Sequence, residues 1–251
     1  DIEKPDMIIW NWQDKRLQSA QQVQQNRDKN FSLTSGYHVA SNRFIPLADD
    51  SNLRTVIVGP KQHYALGYDY SLYEMDNSLS GQSFVDVYVI DLASGEKSLI
   101  LENHYQSASR TLSFSPNGQL LAYYKDGQYY AIDLKSKKHI PLTANIDAVF
   151  VNVEDDHNVE KPATPFFGWS DDSRFVLIRD NYDLWKISAD GKKAVSLSPN
   201  WKKDRIIVGS NYRLYPDDKG VDFKKDQYFS LFNDANKQAG YAILEAGKKQ
   251  L

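Results

Sequence analysis

The sequence contains no cysteine, which excludes disulfides, a thiolate zinc site and a cysteine nucleophile. It has no apolar run approaching the roughly 18 residues that a membrane-spanning helix requires, so no membrane span is expected. Nor does it carry a global basic field for nucleic acid, because 30 Lys and Arg are outnumbered by 33 Asp and Glu, leaving a net charge of −3. The first residue is Asp1 and no signal-like segment opens the chain, so it reads as cut from a longer protein, a start compatible with a processed signal peptide. What the sequence has is aromatic residues. Its 16 Tyr, 11 Phe and 5 Trp suit pleated, half-buried surfaces better than helices.

One hairpin is written five times, as HVASNRFIPLA from His38, YVIDLASGEKSLIL from Tyr88, YAIDLKSKKHIPLT from Tyr130, WKISADGKKAVSLS from Trp185 and YAILEAGKKQL from Tyr241. Each joins two apolar runs through a turn of small or polar residues. The copies start 42 to 56 residues apart, a period in which four strands make one propeller blade. The expected fold is therefore all-β, a β-propeller of four-stranded antiparallel blades, about four of them plus part of a fifth. Blade repeats are placed near residues 31–53, 54–102, 109–143, 164–198 and 204–251, with a loop insertion at 144–163. So few blades predict an incomplete arc, or a small ring closed through the Met7–Trp12 region.

MIIWNW, from Met7 to Trp12, reads as a strand with Trp10 and Trp12 on one core-facing side. The polar tract after it repeats Leu17, Ala20 and Val23 every third residue, a pattern open to either a weak amphipathic helix or a twisted edge strand. Trp169 and Trp185 lie in strand patterns and are expected to pack between blades.

The pair FSPNGQLLAYYKDGQYYAIDLKSKK and GWSDDSRFVLIRDNYDLWKISADGKK resembles the propeller repeats of TolB and of the prolyl oligopeptidase family. Three longer stretches narrow the resemblance: KPDMIIWNWQDKRLQSAQQVQ, EDDHNVEKPATPFFGWSDDSRFVLIRDNYDLWKI and NYRLYPDDKGVDFKKDQYFSLFNDANKQAGYAIL look like the propeller portion of large bacterial members of that family. The resemblance implies a two-part serine peptidase. Its propeller would filter oligopeptide access and dock on an α/β-hydrolase domain of the same polypeptide, in a periplasmic or secreted setting; cysteine-free composition fits a cytoplasm equally. The alternative is a TolB-like protein-interaction propeller without peptidase activity.

No catalytic residue is assigned, and no cofactor or metal ligand set. A hydrolase nucleophile needs G-x-S-x-G, whose glycines permit the sharp turn that exposes the serine. Gly81–Ser83–Val85 and Gly168–Ser170–Asp172 both fail at the last position, and Ser170 matches Ser115 of the preceding repeat, which points to turn chemistry. Histidines at 38, 63, 104, 139 and 157 have no metal-binding spacing and read as strand or surface residues. Asp155, Asp156 and His157 in the insertion are the candidates for contact with substrate or the hydrolase domain. The competing reading is a solvated acidic loop. Asp69, Glu74, Asp76 and Asp86 raise the possibility of paired glycosidase carboxylates, against which solvated turn positions are favoured. Lysine pairs at 137, 192, 202, 224 and 248 mark hairpin tips.

Overall fold

A computed structural model describes residues 9–49, 53–107, 109, 112–214 and 217–251. Among them lie five antiparallel sheets, the fold being all-β and of propeller type. Every sheet is a meander, with strands hydrogen-bonded in chain order. The chain divides into two compact units, residues 1–58 with 63–106 and residues 59–62 with 107–251.

The first unit opens with helix α1 (Gln18–Lys29) and the hairpin β1 (Ser35–His38) and β2 (Arg43–Pro46). Its four-stranded sheet holds β3 (Leu53–Val58), β4 (Tyr64–Asp69), β5 (Phe84–Asp91) and β6 (Lys97–Tyr105). Helix α2 (Glu74–Ser80) joins β4 to β5, where the acidic residues read as a turn; Glu74 and Asp76 occupy its first turn, favoured by the helix dipole. The hairpin packs Ile45 and Leu47 against Ala65 and Ile90 of the sheet. Helix α1 settles the Leu17–Val23 ambiguity in favour of a helix, but it buries nothing.

Residues 9–12 form no strand, Met7 lies outside the described residues, and Trp10 and Trp12 are 73% and 85% exposed. The expected inward face is absent. Aromatic strand preference is a preference for burial beside a partner strand, and none pairs here.

The second unit carries two four-stranded sheets. One is β7 (Ser113–Phe114), β8 (Leu120–Lys125), β9 (Gln128–Asp133) and β10 (Lys138–Pro141). The other is β11 (Phe166–Trp169), β12 (Phe175–Arg179), β13 (Leu184–Ser188) and β14 (Ala194–Ser196). Short helix α3 (Trp201–Asp204) then leads to a three-stranded sheet of β15 (Ile206–Tyr212), β16 (Gln227–Asn233) and β17 (Ala239–Leu244). Central strands β8 and β12 are buried on both faces, since sheets stacked face to face leave neither side to solvent. Tyr124, Tyr129, Trp169, Val176 and Ile178 share one core, with Trp185 packed against it. The expectation that Trp169 and Trp185 serve packing holds.

Two turn types recur with their side-chain chemistry intact. In the first, an acceptor at the end of a strand holds the following N–H groups. Asp91 Oδ1 accepts from Ala93 and Ser94 at 2.8 and 2.9 Å, and Asn233 Oδ1 accepts from Ala235 and Asn236 at 2.9 and 3.1 Å. In the second, a serine hydroxyl donates to an Asx side chain two residues on and accepts the N–H five residues on. Ser115, Ser170 and Ser188 do this with Asn117, Asp172 and Asp190, at 2.7, 2.7 and 2.6 Å. The returning N–H groups of Leu120, Phe175 and Lys193 each lie 2.9 Å from the serine Oγ. Ser170 is thus a turn residue, consumed by its own loop.

Candidate functional site

The insertion after β10 is fixed at its base and open at its tip. Phe150 is fully buried, its carbonyl accepts from Thr164 N–H and Oγ at 3.0 and 3.1 Å, and Val151 bridges to Ala163. Beyond Val151 the chain emerges into solvent. There Asp155 Oδ1 lies 3.1 Å from both His157 N and His157 Nδ1, with the His157 side chain 78% exposed and that of Asp155 16%. Asp156 is exposed. The three candidates therefore sit together on the tip, and Asp155 and His157 form a local pair.

Beside them lies a feature that no motif in the sequence marks. The turn between β12 and β13, residues 180–183, is tied to the insertion by Asn181, whose Nδ2 donates to the Val149 and Val151 carbonyls at 3.1 and 3.0 Å. Between turn, insertion and α3 opens a cavity of about 510 Å³. The insertion supplies Ile146, Val149 and Val153 as apolar wall and Asp147 at its edge; the turn supplies Asp180, Tyr182 and Asp183, β13 supplies Trp185, and α3 supplies Lys202. A volume of this order suits a side chain or small ligand, since such sites run from about 300 to 1,000 Å³.

The carboxylates of the turn differ in how they are held. Asp180 Oδ1 accepts the Tyr182 and Asp183 N–H groups at 2.7 and 2.8 Å, and its Oδ2 accepts the Trp185 indole N–H at 2.9 Å. Asp183 Oδ1 is buried without a hydrogen-bond partner. Burial, reinforced by the Asp180 charge, raises the Asp183 pKa above the ordinary aspartate value, against opposing pulls from the Trp201 N–H, the Ser198 hydroxyl and Lys202. Arg179, at the root of the turn, donates to the Asp180 and Val208 carbonyls, and burial lowers its pKa. The signal in the sequence was the run Asp180–Asn181–Tyr182–Asp183, which reads as plain turn chemistry until the insertion closes over it.

The other candidates have defined places. Asp69 and Asp86 are 7% and 6% exposed, directly opposite each other on β4 and β5, so the expectation of solvated turn positions fails for both. Hydrogen bonds make their burial tolerable: Asp86 Oδ1 accepts from Tyr73 Oη at 2.6 Å and Asn103 N at 2.8 Å, and Asp69 Oδ1 accepts from Ser71 N at 2.9 Å. His38 and His139 are engaged within strands and loops, by the Leu92 carbonyl at 2.6 Å and by Tyr123 Oη at 2.8 Å. Among the described residues no cluster of His, Asp and Glu has the arrangement of a metal site, and no helix is long and apolar enough to cross a membrane.

No family model matches the chain. No curated protein matches it either. Solved structures do. A protein described as TolB from Agrobacterium tumefaciens is 13% identical with a TM-score of 0.36, the match covering 87% of this chain and 76% of that one. Dipeptidyl peptidase 4 from Porphyromonas gingivalis is 16% identical with a TM-score of 0.38, over 86% of this chain and 30% of the peptidase. A eukaryotic initiation factor is 10% identical with a TM-score of 0.46, over 86% of this chain and 49% of the factor. This chain thus spans well under two thirds of the last two. With TM-scores below 0.5, these likenesses carry no argument about what this chain does.

Proposed function

We propose that this chain is the non-catalytic propeller portion of a prolyl oligopeptidase-like serine peptidase, filtering oligopeptide access and docking on an α/β-hydrolase domain of the same polypeptide in a periplasmic or secreted setting. The reading draws on the resemblance of the insertion-plus-blade stretch EDDHNVEKPATPFFGWSDDSRFVLIRDNYDLWKI to that family. The observation that carries it is the architecture of that same stretch: blade meanders with an insertion stapled at Phe150 and Thr164 and, but for Asp155, exposed over residues 153–161. An insertion anchored at its base and projecting from rigid sheets is built to meet something. Asp155, Asp156 and His157 on its tip are the contacts we assign to substrate or hydrolase domain. Catalysis is left to the other domain, because Ser170, the serine nearest to an elbow motif in this unit, is spent on its turn.

A fluorophosphonate probe tests this directly. The full-length parent should take up the label on a serine beyond residue 251, and the isolated 1–251 chain should not. A folded parent that stays unlabelled removes the peptidase reading and leaves a protein-interaction propeller.

A further inference from the structure

The cavity between the insertion, the β12–β13 turn and α3 has a chemical bias that the exposed tip lacks. Besides the Tyr182 phenol, its titratable lining comprises three carboxyl groups, Asp147, Asp180 and Asp183, against one amine, Lys202. Its remaining walls include Ile146, Val149, Val153 and the Trp185 ring. A ligand matched to this surface has an apolar stem and a cationic, hydrogen-bond-donating head. A purely apolar ligand would leave the acidic side unanswered. An anion would meet like charge.

Two features make the floor receptive to such a head. Asp180 is fixed by three hydrogen bonds, so its charge is held in place before a ligand arrives. Asp183 Oδ1 has no partner in its buried position, and the raised pKa of this group records burial and the repulsion of Asp180. An ammonium or guanidinium in the cavity would supply the opposing charge, and it would donate to Asp183 once that side chain turns its enclosed Oδ1 toward the head. The walls are equally prepared, since Asn181 clamps the insertion over the turn through the Val149 and Val151 carbonyls.

We infer that this cavity holds the side chain of a lysine or arginine in an extended peptide, the methylenes lying along Val149, Val153 and Trp185 and the charged head directed at Asp183. That the cation arrives on a peptide rests on the function proposed above. The preference for a cation rests on the cavity alone.

The test uses the 1–251 chain and four capped tripeptides, alanine–X–alanine with lysine, arginine, norleucine or glutamate at the centre. Binding is read from the Trp185 indole N–H resonance, whose partner is Asp180 Oδ2, and from calorimetry. Lysine and arginine peptides should shift that resonance saturably, with norleucine and glutamate weaker by about tenfold or more, as expected for one charge-assisted hydrogen bond. Asp183→Asn should weaken lysine binding by a similar factor, while Asp126→Asn, the same charge change in the β8–β9 turn, should leave it unaltered. Lys202→Gln should tighten it, and this exposed position serves if Asp183→Asn does not fold. Equal binding of norleucine and lysine, or no Trp185 shift with any peptide in folded protein, would overturn the inference. A parent that refuses the fluorophosphonate while the lysine preference persists overturns the peptidase reading alone. Loss of the preference in a parent that still labels overturns the pocket alone.

Discussion

Asp91 shows how much one side chain can do at a turn. The Ser94 N–H, aided by the Ala93 N–H and against the opposing effect of burial, lowers its pKa below the ordinary aspartate value. A carboxylate whose folded pKa is depressed contributes stability that is present above the unfolded value of about 4 and lost as pH falls through the folded one. Denaturant unfolding should therefore show a stability decline below about pH 4 that is smaller in Asp91→Asn, where the acceptor remains and the charge does not. Ser170 invites a different experiment. Replacing it by alanine removes its bond to Asp172 and leaves the Phe175 N–H without the hydroxyl, so we expect a loss of about 1–3 kcal/mol, read as a fall in Tm. Fluorophosphonate uptake by the parent should be untouched. A serine that looked half-catalytic by spacing would then be assigned to folding by measurement.

Elements built from alternation and turn residues were legible in advance. Val85, Val87 and Val89 of β5 alternate as the pattern requires, and Asp91 marks the turn that follows, as Asp133 does after β9. Helix α2 was not legible, because an acidic heptad between two strands carries the composition of a loop and is held as helix by its position between β4 and β5. The cavity was equally hidden: Asp183 and Val149 lie far apart in sequence, and only the Asn181 clamp brings their segments together. Asn181→Ala should therefore loosen the insertion without unfolding the sheets. Cleavage after Glu160 by a glutamate-specific protease should accelerate while the unfolding midpoint moves little; unchanged cleavage would mean that the clamp is dispensable. Gly191 tests the serine turn from its backbone. It sits at φ 70°, and a Cβ there would lie 2.0 Å from the Pro141 carbonyl oxygen. Gly191→Ala should cost more than the roughly 1–3 kcal/mol of a left-handed conformation alone, because β10 must also move; calorimetry reads the difference.

For the molecule as a whole, several ion pairs among the described residues are local to one turn, while Lys97–Asp49 and Arg205–Asp234 join segments far apart in sequence. Asp172 pairs with Arg174 at 2.7 Å, Asp190 with Lys192 at 3.3 Å and Asp234 with Lys237 at 2.7 Å, each within one hairpin tip. Exposed short-range pairs are worth little and long-range fields are weak at a net charge of −3, so stability at neutral pH should change by less than about 1 kcal/mol between about 0.05 and 0.5 M sodium chloride. A larger change would point to charge coupling beyond the tips. The serine turns have one more consequence, and it concerns time. Asn117–Gly118 is the one Asn–Gly step in the chain, the dipeptide most prone to deamidate, because an unencumbered glycine nitrogen readily attacks the asparagine carboxamide. Here that nitrogen is committed to the Ser115 carbonyl at 2.8 Å, and the carboxamide oxygen is held by Ser115 Oγ and the Gln119 N–H. The folded turn keeps the two reactants apart. Each visit to an unfolded state releases them, so isoaspartate accumulating at residue 117 becomes a chemical record of how often the sheet of β7 to β10 has opened during the protein's life.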